Sequence, residues 1–300
     1  MESTALRDAM GTYESKTPCP SDFHAFWADR RQLAAGTRVL SRTPAEMDSP
    51  AAEYSLVRYG TGGRTLTARC VRPKTEEAVP AVLLFSDFDS AVRGWFHMSR
   101  FAPLDLAVLA PVREGLPPDV AAGWRGAPEG LALAELYTDA LGLSYAAGQL
   151  PGIDGSRLIP WGEGLGGTLA VVTAAMRPEA VEKCAALGPG LADFPLLWQT
   201  GADTGPAAGI RRHFRDEDPE HREADAFFRA LGYVDCVNFA PMVRCPFLMG
   251  TGLMDSLSPP LAQAALFNRV PGEKRIVTYP KYIHERVNEF ENELLRFLHR

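Results

Sequence analysis

The sequence predicts an α/β fold with a mainly parallel central sheet and helices on both of its faces. Short runs that are mostly apolar lie at residues 79–86, 106–112, 157–161, 183–188, 246–252 and 274–279. Segments with helical periodicity alternate with these runs, at residues 131–149, 165–176, 260–270 and 286–300. Strands that are apolar on both faces and alternate with helices are typical of a parallel sheet that is covered on both sides.

The first part of the chain has a different character. Residues 1–50 are interpreted as an N-terminal extension, in which Ser21 caps a helix that carries its aromatic side chains on one face over residues 22–27. An alternating pattern over residues 53–73 is interrupted by Gly and Thr at residues 60–63. This combination predicts a β-hairpin.

The rhythm of strands and helices breaks between residues 194 and 235. A polar stretch at residues 211–225 holds most of the local charge. We interpret residues 194–235 as an insertion over the carboxyl edge of the sheet, where α/β proteins place their ligands. We predict one domain over residues 1–300, because α/β folds often reach this length as a single unit.

Composition excludes several classes of partner. The chain has 300 residues, is 46% hydrophobic and 23% charged, and carries a net charge of −6 without a basic block. A nucleic-acid partner is therefore not expected. No apolar run reaches the roughly 18 residues of a membrane-spanning helix, so no membrane partner is expected either.

Cysteine and histidine spacing predicts neither disulfides nor a metal site. The cysteines, which form no CxxC pair, are Cys19, Cys70, Cys184, Cys236 and Cys245. Scattered thiols, together with an N-terminus that lacks an apolar signal region, predict a cytoplasmic protein. Five histidines show no HxH or HExxH spacing, namely His24, His97, His213, His221 and His299. Neither a metal nor a cofactor is expected.

A glycine-rich turn between a strand and a helix allows two interpretations. Over residues 158–167 the sequence is LIPWGEGLGG, and Gly162, Gly164 and Gly167 satisfy the GxGxxG dinucleotide fingerprint. That fingerprint also requires an acidic residue at the end of the next strand. Here the next strand ends at residues 187–189 without an acid. Nucleotide binding is the weakest alternative.

The second interpretation is a nucleophile elbow, in which small residues flank a central nucleophile on a strained turn. Gly162 and Gly166 are the small residues, which places Gly164 at the centre. Placing Glu163 at the centre instead would put large side chains where only small ones fit. The elbow pattern is therefore present, but its nucleophile is missing.

Two downstream residues support the elbow. Asp255 follows a buried strand, and His284 lies in a loop between the last strand and the last helix. Each residue alone is more simply interpreted as a loop cap or a surface group. Gly164, Asp255 and His284 nevertheless follow the order of nucleophile, acid and histidine in α/β-hydrolases. Their common position at element ends favours a triad without its nucleophile.

Several segments carry a family resemblance in the right order. The motifs DFxxFW, GGSQGG, GxxD…PP and GHE resemble, respectively, residues 22–27, 162–167, 252–260 and 282–285. The chain thus resembles carbohydrate esterase family 7, the acetyl xylan esterase and cephalosporin C deacetylase family. The resemblance implies an α/β-hydrolase fold and a small ester or acetylated sugar as ligand. It also implies a homo-oligomer such as a hexamer.

The chain departs from this family at its catalytic motifs. The family's serine falls on Gly164, its HGY motif on residues 86–88 and its RGQG motif on residues 113–116. By resemblance, the oxyanion hole consists of the backbone N–H groups of Phe88 and Leu165. Both are available whatever the side chain.

These departures predict a catalytically degenerate member of the family. Glycine at position 164 has no oxygen for acyl transfer, and the charge of Asp87 would oppose a developing oxyanion. The alternative is an active hydrolase or lyase in which Asp255 and His284 act as a general base without a serine.

Overall fold

A nine-stranded sheet lies at the centre of the computed structural model, which describes residues 3–47, 49–113 and 115–299. The strands are β1 (Arg38–Pro44), β2 (Ala52–Thr61), β3 (Arg64–Pro73), β4 (Val79–Phe85), β5 (Ala107–Val112), β6 (Ile153–Glu163), β7 (Cys184–Leu187), β8 (Phe247–Gly252) and β9 (Lys274–Tyr279). The α-helices are α1 (Ser3–Thr12), α2 (Phe23–Ala35), α3 (Trp95–Met98), α4 (Ala132–Ala147), α5 (Leu165–Met176), α6 (Phe194–Thr200), α7 (Ala208–Arg212), α8 (Ala224–Leu231), α9 (Cys236–Phe239), α10 (Pro260–Arg269) and α11 (Asn288–Leu298).

The sheet is antiparallel at one end and parallel over the rest. Its spatial order is β1-β2-β3-β5-β4-β6-β7-β8-β9. The pairs from β1 to β3, and the pair of β3 with β5, are antiparallel. Every pair from β5 to β9 is parallel. The predicted α/β class with a mainly parallel sheet is confirmed.

Alternate side chains of the central strands enter two hydrophobic clusters, one on each face of the sheet. On β4, Leu83 and Phe85 lie in the larger cluster, which also contains the buried side chains of α2, α4 and α5. Val82 and Leu84 lie in the smaller cluster, together with side chains of α11 such as Phe290. A strand buried on both faces must be apolar at every position, which is the pattern seen in the sequence.

At the N-terminus, one strand was not predicted and one expectation was wrong. Residues 38–44 form edge strand β1, which escaped detection because most of its side chains are exposed and its apolar alternation is weak. Ser21 does not cap α2, since Asp22 occupies the N-cap position and makes no side-chain cap bond. The Asp22 carboxylate accepts a hydrogen bond from the Tyr233 hydroxyl instead (2.5 Å).

The parallel arrangement brings four loops to one edge of the sheet. The loops after β4, β6, β8 and β9 carry Asp87, Gly164, Asp255 and His284, respectively. Because these strands are parallel, their carboxyl ends lie on the same side. Within the described ranges, no helix combines the length and the apolar character needed to cross a membrane.

Candidate active site

The turn from β6 into α5 has the backbone geometry of an elbow. Gly164 has φ 55° and ψ −120°, a conformation that residues with side chains rarely adopt. A Cβ on Gly162 would lie 2.3 Å from the Gly166 carbonyl, and a Cβ on Gly166 would lie 2.3 Å from the Phe85 oxygen. Strand and helix therefore approach each other closely, which explains the small flanking residues.

Asp255 and His284 form a hydrogen-bonded pair beside this turn. The Nδ1 atom of His284 lies 2.7 Å from Asp255 Oδ2. The other Asp255 oxygen accepts N–H bonds from Leu257 (3.0 Å) and Ser258 (2.8 Å). Because the Asp255 side chain is nearly inaccessible and bonded at both oxygens, it holds the imidazole of His284 in one orientation.

The Asp87 carboxylate lies on the opposite side of the imidazole. Its Oδ2 atom is 3.0 Å from His284 Nε2. Its Oδ1 atom accepts the backbone N–H groups of Phe88 (2.6 Å) and Leu165 (2.9 Å). The two N–H groups that the resemblance assigned to an oxyanion hole thus converge, and a carboxylate oxygen of the chain itself lies between them.

Asp87 also fills the space of a side chain at position 164. An ideal Cβ on Gly164 would lie 2.0 Å from Asp87 Oδ1 and would overlap the rest of the carboxyl group as well. This contact was missed from the sequence, which indicated only that the charge of Asp87 would oppose an oxyanion. The sequence does contain a signal for this contact. Relative to the family motifs, residue 164 loses a side chain and residue 87 gains one, which indicates that the two positions share one space.

The charges of the two carboxylates determine the protonation of His284. Burial alone would lower the pKa of the imidazole, but hydrogen bonds and charge from Asp255 and Asp87 raise that pKa to about 10. Burial likewise would raise the pKa of the Asp87 carboxyl. His284 and the two N–H donors outweigh this effect, so the pKa of Asp87 lies below its ordinary value. At neutral pH the site therefore contains an imidazolium between two carboxylates.

Arg113 anchors the loop that carries Asp87. Its guanidinium donates to the carbonyl oxygens of Asp87 (3.0 Å) and Phe88 (2.7 Å). Arg113 is the first residue of the segment that resembles RGQG, whereas the next residue of that segment, Glu114, lies outside the described residues. The arginine thus positions the loop through its backbone, whichever side chain stands at position 87.

Glu163 does not reach the imidazole in this arrangement. Its carboxylate forms ion pairs with Arg93 (2.6 Å) and Arg286 (3.5 Å). A carboxylate held by two arginines is a poor nucleophile, because attack would separate its charge from both cations. The structure therefore favours Asp87 over Glu163 as the acidic group of the site.

Two cavities flank the Asp87–His284 contact. The larger, of about 290 Å³, is bounded by both residues and otherwise mostly by apolar groups, including Phe88, Leu165, Leu191, Leu197, Pro206 and Leu257. Several of these come from residues 194–235, so that segment contributes to the walls. The smaller cavity, of about 50 Å³, lies beside Gly164, Asp255 and His284.

The glycine turn offers little room for a nucleotide. A dinucleotide places its pyrophosphate at the N-terminus of the helix after the turn. Here the N–H of Leu165, in the first turn of α5, already donates to the carboxylate of Asp87. A phosphate would therefore have to displace an anion that the chain supplies itself.

One group of potential metal ligands was not expected from histidine spacing. His213, Asp218 and Glu223 each offer a ligand atom within 4.8 Å of the others. The Asp218 carboxylate already accepts the N–H groups of Arg222 (2.9 Å) and Glu223 (2.7 Å). Glu223 forms an ion pair with Arg125 (2.7 Å). These bonds give the carboxylates a role within residues 194–235 that requires no ion.

Comparison with known proteins gives a consistent result. The family model for acetyl xylan esterase (AXE1) matches residues 1–300. The acetyl esterase Axe7A of Xylanibacter ruminicola is 28% identical over 141 residues, which are 47% of this chain and only 30% of that relative. The crystal structure of acetyl xylan esterase 1 from Thermoanaerobacterium sp. JW/SL YS485 has a TM-score of 0.90 at 25% identity, covering 99% of this chain and 98% of the other. An acetyl xylan esterase from Paenibacillus sp. R4 has a TM-score of 0.88 at 23% identity, with 97% and 98% covered.

Proposed function

The chain belongs to the acetyl xylan esterase (AXE1) family and has an α/β-hydrolase fold, and we propose that it is a catalytically degenerate member that does not hydrolyse acetyl esters. The observation that carries this proposal is the position of the Asp87 carboxylate. It fills the space of a side chain at residue 164 and accepts both N–H groups of the oxyanion hole.

Each of these two features alone would suppress acyl transfer. Without an oxygen at position 164, His284 has no hydroxyl group to deprotonate, and no acyl-enzyme forms there. Loss of a triad nucleophile costs on the order of 10⁶-fold in rate. In addition, a substrate oxyanion would have to displace the Asp87 carboxylate from the N–H groups of Phe88 and Leu165. The negative charge of the carboxylate would repel the oxyanion.

The family suggests a small ester or an acetylated sugar as the ligand. The 290 Å³ cavity beside His284 offers room for such a ligand next to the candidate site. Its mostly apolar walls suit a small acyl or alkyl group better than an extended polar sugar. We therefore place ligand binding at this cavity and expect the apolar part of the ligand to face it.

The second candidate is hydrolysis in which His284 activates water without a serine. Its support is the intact hydrogen bond between Asp255 and His284. A base must be unprotonated, however, and the hydrogen bonds and charges of Asp255 and Asp87 keep the pKa of His284 at about 10. This route therefore requires a step that first removes the charge of Asp87.

A p-nitrophenyl acetate assay tests the proposal directly. We expect both the unaltered chain and its His284→Ala variant to release nitrophenol no faster than buffer without protein. Rapid release that His284→Ala abolishes would contradict the proposal and would show that His284 activates water. Rapid release that survives this substitution would contradict it too, because hydrolysis would then occur at another site.

Two further features follow from the chain as a whole. The cysteines of the described residues are free, and four of them are buried. Free thiols support a cytoplasmic location, where disulfides are rare. Assembly into a homo-oligomer is proposed by family resemblance.

A further inference from the structure

The two oxygens of Asp87 have different surroundings. Oδ1 is held by the N–H groups of Phe88 and Leu165, at 2.6 and 2.9 Å. Oδ2 lies 3.0 Å from Nε2 of His284, and Asp87 is one of the residues that line the 290 Å³ cavity. The Asp87 side chain is 18% exposed, so a ligand in that cavity can reach it. One oxygen is thus fixed, and the other is available to react.

The position of Oδ1 determines which centre the oxyanion hole can stabilise. Two N–H donors aimed at one oxygen stabilise negative charge that develops on that oxygen. Charge develops on Oδ1 when a nucleophile adds to Cγ of Asp87, which happens if Asp87 has become an ester. The hole therefore suits hydrolysis of an ester of Asp87 itself, rather than attack on the carbonyl group of a substrate.

An ester of Asp87 forms when Oδ2 attacks a saturated carbon of a substrate. Carboxylates are established covalent nucleophiles of this kind. Attack on an acetyl carbon would instead create an oxyanion on the substrate, and both donors are already engaged by Oδ1. The geometry thus selects alkyl transfer over acyl transfer.

The proton on His284 indicates which kind of leaving group the site can accept. Its Nε2 atom lies 3.0 Å from Asp87 Oδ2, and His284 also lines the cavity, where a leaving atom next to the attacked carbon can receive the proton. Among the described residues that line this cavity, His284 is the one whose side chain carries an N–H group. An oxygen leaving group needs such a proton, and a strained three-membered ether supplies both the oxygen and the electrophilic carbon.

We propose that Asp87 is a carboxylate nucleophile that opens small apolar epoxides, with His284 as the proton donor and Asp255 as the residue that orients it. This proposal goes beyond the absence of serine-type esterase activity, and its readout, formation of a diol, is separate from that activity. Diol formation and acetyl-ester hydrolysis are measured separately, so one proposal can fail while the other holds.

The first step consumes the carboxylate and the imidazolium. Asp87 Oδ2 forms a bond to an epoxide carbon, the carbon–oxygen bond of the ring breaks, and the released oxygen takes the Nε2 proton. The products are a hydroxyalkyl ester of Asp87 and neutral His284. Because the negative charge at Asp87 is lost, the pKa of His284 falls and the imidazole becomes a base.

The second step restores both groups. His284 takes a proton from water, and the hydroxide adds to Cγ of Asp87 while Phe88 and Leu165 hold the charge on Oδ1. Collapse breaks the bond between Cγ and the ester oxygen, and the diol leaves with the former Oδ2 atom. The proton of the newly added hydroxyl group passes to the departing alkoxide, which leaves a carboxylate and an imidazolium. One epoxide and one water have become one diol.

The two cavities suit these two reactants. The larger one is mostly apolar and about 290 Å³ in volume, which fits a small epoxide with a hydrocarbon substituent. The smaller one is about 50 Å³ and is bounded by Asp87, Gly164 and His284. That volume holds a few water molecules beside the Asp87 carboxyl group.

Oxygen-18 labelling of the unaltered chain tests the ester intermediate. Butylene oxide and styrene oxide serve as probes, with enzyme in excess so that each site turns over once in labelled water. We expect an unlabelled diol and one labelled oxygen in the peptide that contains Asp87. Label in the diol would overturn the ester intermediate, because water would then have attacked the epoxide. Absence of diol from both epoxides, with no alkylated protein by intact mass, would overturn the proposal.

Matched substitutions test the role of Asp87 under repeated turnover. Asp87→Asn removes the nucleophilic charge and retains the shape, and we expect diol formation to fall on the order of 10⁴-fold or more. Asp29→Asn, the same change on the exposed face of α2, should leave the rate unaltered. Equal rates for Asp87→Asn and the unaltered chain would overturn the proposal. The labelling result does not depend on whether any variant folds.

Discussion

Residues 87 and 164 are far apart in the sequence but share one position in space. Serine at residue 164 does not fit beside Asp87, because its Cβ would overlap the carboxyl group. Glycine at residue 87 would leave Nε2 of His284 and the N–H groups of Phe88 and Leu165 without their present acceptor. Serine at residue 164 and glycine at residue 87 are therefore compatible with each other, whereas either one alone is expected to destabilise the site.

The protonation of His284 is the first consequence at the residue scale. We expect the imidazole to stay protonated at neutral pH and to titrate near its pKa of about 10. In Asp87→Asn, which removes one of the two neighbouring charges, the pKa should fall toward 6.5. Nuclear magnetic resonance of the histidine ring protons measures both values. A pKa at or below 6.5 in the unaltered chain would contradict the ion-pair geometry.

The same shift predicts how stability depends on pH. A pKa that is raised in the folded state stabilises the fold fully below the unfolded value of about 6.5, and this contribution is lost as the pH rises through about 10. The free energy of unfolding should therefore decline over this range, and it should decline less in Asp87→Asn. Denaturant titrations of both proteins at several pH values provide the comparison.

At the scale of elements, the parallel half of the sheet could be predicted because its strands are buried on both faces. The apolar runs around residues 79–86 and 246–252 contain β4 and β8. Strand β1 could not be predicted from the sequence, since most of its side chains are exposed and edge strands carry little apolar signal. The cap prediction at Ser21 failed because α2 begins at Phe23, with Asp22 as its N-cap, and sequence patterns define helix boundaries only to within a few residues.

The candidate site likewise has features that could be predicted from the sequence and one that could not. The positions of Gly164, Asp255 and His284 at element ends follow from the order of motifs along the chain. The reach of Asp87 into the elbow does not, because it depends on the loop after β4, which Arg113 holds by two backbone carbonyl groups. Such a contact between loops has no periodic signature in the sequence.

At the scale of the whole molecule, some large apolar side chains face solvent. Phe96 is 95% exposed, Leu116 is 70% exposed and Ile283, next to His284, is 53% exposed. Contiguous apolar patches mark subunit interfaces, whereas single exposed side chains are normal. The expectation of assembly therefore rests on the family resemblance.

We accordingly predict a homo-oligomer, with a hexamer as the expected size. Light scattering at micromolar concentration should give a mass several times the 32.7 kDa of one chain. Phe96→Glu, which places a charge at the most exposed of these residues, should shift the distribution to smaller species if it lies in an interface. A monomeric mass for the unaltered chain would contradict the prediction.

Substitutions at residues 87 and 164, made separately and together, test the central claim, that the Asp87 carboxylate occupies the place of the nucleophile. The measurement is the His284-dependent rate of p-nitrophenyl acetate hydrolysis in Gly164→Ser, Asp87→Gly and the double variant. We predict that neither single variant is active, because one retains the obstructing carboxylate and the other has no nucleophile. The double variant should gain activity that His284→Ala removes. A Gly164→Ser variant as active as the double variant would contradict the claim, since Asp87 would then obstruct nothing.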